Sequence, residues 1–206
     1  GTGGNLAAFA EEHDVTGIDA SPRALEFATR RLGSRVREGR LPGPLPLTPA
    51  SFDVVLSTDV FEHIEDDAAS VRAALDLLRP GGILVATVPA YQWLFSPRDR
   101  HHHHYRRYGR HQFARLFDVS GARVELLSHY NALLFPPAAL VRLWSKWLPA
   151  KPPSGDVNVP PSIVNRTLQA VFSSERHLLG RAPIPFGLSL IAVVRRELAE
   201  QQRHAA

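Results

Sequence analysis

The chain has 206 residues, 44% of them hydrophobic, with 24 Lys plus Arg against 20 Asp plus Glu, which suits one well-cored globular domain rather than a disordered or fibrous chain. A formal charge of +4 is too small to demand nucleic acid, and no nucleic-acid partner is expected. Cysteine is absent, which excludes disulfides, thiolate metal sites and a cysteine nucleophile and leaves a cytoplasmic location merely compatible.

No run approaches the roughly 18 apolar residues of a membrane span, and the N-terminus has no basic stretch leading into an apolar one. Methionine is missing even at position 1, so a segment upstream of Gly1 is expected.

In chain order, "GTGG" leads into a short helix whose apolar face is Leu6, Ala7, Phe9 and Ala10. "DVTGIDAS" reads as a strand with an acidic end. Ser21 caps the helix that follows, Pro22 opens it, Gly33 closes it, and Ala24, Leu25, Ala28 and Leu32 form its stripe. "DVVLS" is a continuous apolar strand. A helix beginning near Asp66, with Val71, Ala74, Leu75 and Leu78 inward, stops at the turn signal "RPGG". "ILVATVP" is a strand covered on both faces, so strands and helices alternate in the α/β manner. Beyond it come a His- and Arg-rich loop, a helix around 110–118, a strand "RVELLSHYN", a proline-broken apolar region and a last strand "GLSLIAVVRR". Residues 131–183 read as an insertion within a single domain spanning 1–206, and no internal repeat is present.

Glycines between strand and helix admit a ligand close to the backbone. A dinucleotide fingerprint needs glycine three places after Gly3, where Leu6 stands, and no Gly-Lys-Ser/Thr follows for a P-loop. Asp19 ends the next strand at the edge where doubly wound sheets bind ligands, and its carboxylate can accept two ribose hydroxyls, so the ligand is a nucleoside. The plainer alternative is that Asp19 complements the dipole of the helix capped by Ser21.

Taken in order, "GTGG", "GIDAS", "SFDVVLSTDVFEHIEDD" and "LRPGGILVATVP" resemble the class I S-adenosylmethionine-dependent methyltransferases, in particular bacterial small-molecule enzymes similar to quinone-biosynthesis methyltransferases. The resemblance implies a Rossmann-like α/β fold, a mostly parallel sheet with an antiparallel last strand, and S-adenosylmethionine as cofactor. It implies that Gly1, Thr2 and Gly3 face the methionine part and ribose, that Asp19 holds the ribose hydroxyls, and that Ala20 packs by the adenine. Arg40 and Leu41 in "EGRLP" take the adenine edge, and Asp59 with Val60 lies beneath the cofactor. Two departures accompany it. Arg40 stands where many relatives are acidic, and the family's first strand, which ends just before the glycines, is absent.

A sulfonium carries its own activated methyl, so the protein chiefly aligns a nucleophile and excludes water. An acceptor hydroxyl or acidic carbon needs a base of near-neutral pKa, which makes histidine the natural candidate. His63 follows the "DVVLS" strand, and by resemblance His104 is a recurrent histidine followed by Arg106, Arg107 and Tyr108. His63, His104 and Tyr108 are the catalytic candidates, and Tyr91, Trp93, Arg106 and Arg107 the candidate acceptor contacts. The alternatives are a backbone-bonded loop histidine, a solvated basic loop and ordinary core aromatics. Consecutive histidines 101–104 point in different directions with no helical HxxxH pair, so no metal is expected.

"NALLFPPAALVRLWSKWLP" suits a lid over an apolar acceptor, an interfacial helix touching a membrane through 131–150, or a helix packed on its own domain. The expected activity is methyl transfer to a small molecule, with lipid, quinone and glycan-related acceptors open. The competing readings are an inactive truncated domain acting as a binding or membrane-surface module, and a nicotinamide oxidoreductase, which Leu6 and the lack of a Tyr-x-x-x-Lys pair discourage.

Overall fold

A computed structural model describes residues 1–119, 121–145 and 162–198. Helix α1 (Gly4–Phe9) precedes strand β1 (Gly17–Asp19), helix α2 (Pro22–Leu32) and strand β2 (Val36–Glu38). The Ser21 hydroxyl accepts from the Ala24 amide and Gly33 ends α2 at φ +58°, as the capping pattern predicts. Strand β3 (Phe52–Thr58), helix α3 (Asp67–Asp76) and strand β4 (Leu78–Pro89) follow, with the Asp66 carboxylate accepting from Ala69 at the start of α3. Then come α4 (Pro97–His101), α5 (Arg110–Arg115), β5 (Ala122–Tyr130), α6 (Phe135–Ser145), α7 (Ser162–Ser174) and β6 (Ser189–Arg196).

Strands β1 and β2 pair in parallel, and a separate sheet runs β3-β4-β6-β5. There β3 and β4 are parallel, while the last strand, β6, is antiparallel to both neighbours. The mixed sheet with an antiparallel last strand is therefore present, divided into two ladders.

Alternate residues of β4 (Leu84, Ala86, Val88) and β6 (Leu190, Ala192, Val194) are buried together against Val71, Ala74 and Leu75 of α3 and Phe113 of α5. That stacking of a helix stripe on a strand face is the core, and at about 25 cal/mol per Å2 of apolar area removed from water it drives this half to fold. Arg196 ties the layers, donating to the Leu75, Asp76 and Leu78 carbonyls at the end of α3. Gly187 allows the closest backbone approach: a β-carbon there would lie 2.2 Å from the Tyr130 carbonyl oxygen.

One element differs from the sequence reading. "RPGG" does not end the run before the strand; it is taken into β4, where the register with β3 shifts between Phe52 and Val54 and Gly81 adopts φ +85°. The bulge absorbs what looks like a turn. Strand β3 is not covered throughout, for Val54 is 52% and Leu56 46% exposed, because among the described residues β3 has a ladder partner on one side alone. Helices α6 and α7 lie within 131–183; residues 146–150 of the expected membrane-contacting stretch lie outside the described residues. Among the described residues no helix is long and apolar enough to cross a membrane.

Candidate functional site

The glycine turn sits tight against α2. Gly3 adopts φ +80°, and a β-carbon on it would approach the Ala28 Cα to 3.2 Å, so both the backbone angle and the packing require glycine. Asp19 ends β1 beside it. One carboxylate oxygen accepts from the Ser21 amide at 2.8 Å and the other from the Gly1 amino group. Burial raises the Asp19 carboxyl, but the hydrogen bonds from the Gly1 amino group and the Ser21 amide outweigh it, and the group lies below its ordinary value. Asp19 thus serves the dipole and turn chemistry of the plainer alternative while remaining part-exposed beside Gly1 and Thr2. Ala20 is half-buried. Arg40 is exposed, and Leu41 packs against the central core.

Past the end of β3 lies a cavity of about 360 Å3, lined by residues from six separate segments, Pro89 of β4 and Ala138 of α6 among them. Asp59, Glu62 and His63 come from the turn after β3, His104 and Arg107 from the loop after α4, Asn131 from the end of β5, and Ser189 from the start of β6. The cavity opens at the carboxyl ends of β3 and β4, the edge at which ligands bind in open α/β sheets. Backbone strain gathers around it. Asp59 (φ 52°), Tyr91 (φ 62°), His103 (φ 58°) and Asn131 (φ 60°) are all non-glycine residues in the left-handed region. Asp59 is held there by Thr87, whose carbonyl and hydroxyl accept from its amide at 3.0 and 3.2 Å. Val60 is half-buried at the start of the turn.

His63 and His104 meet edge to face with ring centroids 4.5 Å apart. Burial depresses both imidazoles; for His63, hydrogen bonds to the backbone at His103 and His102 oppose it, and for His104 the nearby His63 adds to it while Asp99 opposes it. The Glu62 side chain is fully buried, and neither oxygen finds a hydrogen-bond partner among the described residues; its own amide draws near without meeting hydrogen-bond geometry. Burial, with Asp59 and Asp99 adding repulsion, pushes the Glu62 carboxyl up to about 8.

The remaining candidates divide between pocket and scaffold. Arg107 borders the cavity, yet its guanidinium is committed to Asp99, donating from Nε at 2.7 Å with a terminal nitrogen at 2.6 Å from the same oxygen. That pair holds the Asp99 carboxyl down at about 2 despite its burial. Arg106 pairs with Asp67 at 2.7 Å and donates to the Glu65 carbonyl. Tyr108 is fully buried in the core cluster, not on the cavity wall, and its hydroxyl donates to Asp67 at 2.8 Å. Burial raises its phenol, and this side chain expected among the catalytic groups lies within the core cluster. Tyr91 stacks on His129 at 5.4 Å between centroids and abuts Trp93 and Phe135, with Trp93 45% exposed. Sequence reasoning passed over Glu62, Asp99 and Asn131. The adjacent pair "EH" directly after a strand end was the one signal available for Glu62.

Residues 1–86 match the family described as methyltransferase domain. The similarity to that family runs over 86 of the 206 residues. The chain is 37% identical over 93 residues to a probable S-adenosylmethionine-dependent methyltransferase of Mycolicibacterium smegmatis, covering 44% of this chain and 35% of that protein. It is 36% identical over 73 residues to a ubiquinone biosynthesis O-methyltransferase of Nitrosospira multiformis, covering 33% of this chain and 30% of that protein. The aligned part thus spans about a third of the length of these relatives. A geranyl diphosphate methyltransferase solved in complex with SAM superposes with a TM-score of 0.59 over 96% of this chain and 75% of its own, at 14% identity, a likeness of fold.

Proposed function

We propose that the protein transfers the methyl group of S-adenosylmethionine to an oxygen of a small molecule with an apolar body. The observation that carries this reading is the cavity beyond Asp59, which gathers His63 and His104 from distant segments at the carboxyl ends of β3 and β4. The names of the relatives matched, among them ubiquinone biosynthesis O-methyltransferases, favour a hydroxyl as acceptor.

Bound S-adenosylmethionine supplies a methyl already activated on a sulfonium. Asp19 binds the ribose hydroxyls with Gly1, Thr2 and Gly3 against the methionine part, Ala20, Arg40 and Leu41 border the adenine, and Asp59 with Val60 forms the floor. His63 and His104 face the acceptor and provide for loss of its proton. Tyr91 and Trp93, with Phe135, wall the side from which an apolar acceptor enters, and Leu140, Val141 and Trp144 of α6 extend that surface into solvent, where a membrane-held acceptor would approach. Arg106 and Arg107 act by bracing the loop that carries His104 rather than by binding acceptor. S-adenosylmethionine held there would supply the methyl carbon to the acceptor oxygen, its carbon–sulfur bond giving way to the new carbon–oxygen bond.

Calorimetric titration with S-adenosylhomocysteine tests the cofactor half. Asp19→Ala is expected to weaken binding by about 1–3 kcal/mol, the worth of charge-assisted hydrogen bonds. Equal affinity in the variant would falsify the ribose assignment, and absence of binding by the parent chain would favour the inactive module.

A further inference from the structure

We infer that Glu62, His63 and His104 form a binding site for a first-row divalent transition-metal ion, set in the floor of the acceptor cavity. One ligand atom from each, a carboxylate oxygen and two imidazole nitrogens, lie within 4.8 Å of one another. Ligands about 2.0–2.2 Å from a common ion stand roughly 3–4 Å apart, so small side-chain rotations close the set. Two imidazoles and a carboxylate on one side of an ion suit manganese, iron, cobalt or zinc rather than calcium or magnesium.

An independent observation points to a ligand. Glu62 has no exposed surface and both its oxygens lack hydrogen-bond partners among the described residues, while the residue lines the cavity. A buried carboxylate left so is costly, and a cation removes the cost. The surroundings are also arranged as metal sites are. The His104 Nδ1 lies 3.2 Å from a carboxylate oxygen of Asp99, which orients that imidazole and leaves its other nitrogen to offer. The charges facing the cluster are the carboxylates of Asp59 and Asp99 and the guanidinium of Arg107. With Glu62 ionised the balance is three negative against one positive, which favours a divalent cation.

This rests on the methyl-transfer reading and deepens it. An acceptor hydroxyl binding to the ion's open face is acidified. Its proton leaves to solvent, the resulting oxyanion forms the bond to the methyl carbon as the carbon–sulfur bond breaks, and no oxidant or reductant enters. His63 and His104 then serve as ligands rather than as bases.

The test is titration of the EDTA-treated protein with Co2+, followed by its visible absorption, with methyl transfer assayed separately. One equivalent is expected to bind with a d–d spectrum of nitrogen–oxygen ligation. Glu62→Gln and His104→Ala, each checked for an unchanged circular dichroism spectrum, are expected to weaken binding at least ~10-fold. His101→Ala/His102→Ala, which removes two exposed imidazoles of the histidine run, is expected to leave it unchanged. Binding that survives Glu62→Gln but is lost with His101 and His102, or no stoichiometric binding at all, overturns the inference. Methyl transfer persisting in EDTA overturns the metal's role and leaves the methyltransferase reading intact; binding without any cofactor affinity does the reverse.

Discussion

Replacing Arg107 with methionine separates a scaffold role from an acceptor role, because the two predict opposite readouts. The guanidinium is 6% exposed and the Asp99 carboxylate 2% exposed, and they meet at 2.6–2.7 Å. Asp99 stands at about 2 against 3.8 for the free group. At roughly 1.4 kcal/mol per pKa unit, that interval corresponds to stability on the order of 2 kcal/mol at neutral pH. Arg107→Met also strands a buried carboxylate, and losses of about 3–5 kcal/mol are typical when one partner of a buried pair is removed. Urea unfolding followed by tryptophan fluorescence should therefore show Arg107→Met losing about 3 kcal/mol, and Arg107→Met/Asp99→Asn losing less than the sum of the single changes. The sign with pH follows from the lowered Asp99 value. Its contribution is complete above about pH 4 and is lost as the pH falls toward 2, so the coupling in the cycle should shrink over that range. An Arg107→Met protein with the parental urea midpoint and a raised KM for the acceptor would refute the scaffold assignment and return Arg107 to the substrate.

Tyr108→Phe removes the hydroxyl that donates to Asp67, and should cost about 1 kcal/mol, a fall in Tm of roughly 2–4 °C, with turnover kept. A collapse of turnover at an unchanged Tm would show that Tyr108 takes part in the chemistry. His129 is buried beneath Tyr91, and burial depresses its imidazole, with the backbone at Ile184 opposing and Arg110 adding. A His lowered on folding leaves the unfolded chain to take up the proton first, so stability is full above the ordinary value near 6.5 and declines below it. Between pH 7.5 and 5.5, roughly spanning that value, His129→Gln should lose less stability in urea titrations than the parent; an identical loss would remove His129 as a source.

The elements were legible where the chain itself carries the cause. The Ser21 and Asp66 caps and the spacing of Val71, Ala74 and Leu75 are local signals, and they placed α2 and α3. What escaped depends on contacts between distant segments. The sequence shows "RPGG" as a turn because a bulge paired to β3 is invisible until the ladder forms. His63 and His104, 41 positions apart, share a site through the fold of the loop after α4, where Ser96 and Asp99 interlock and Asp99 reaches both Arg107 and His104. Glu62 was overlooked because a glutamate is by default a surface residue, and its burial has no local mark. Tyr108 sat in a suggestive motif beside Arg106 and Arg107, but which side of the loop meets the core is decided by Phe113 and Phe117 packing behind it.

The division of the strands into two ladders has a mechanical consequence. Hydrogen-bonded rungs resist shear, and none joins β1 and β2 to β3 among the described residues. Among the described residues, contact between the ladders runs through side chains such as Leu41, which packs against the core built on β4 and β6. Methyl transfer demands that donor and acceptor be aligned closely, since a displacement of about 1 Å can cost ~100-fold in rate. Under the methyl-transfer reading, the side-chain packing that joins the two ladders is one of the contacts that would hold Asp19 in register with His63 and His104.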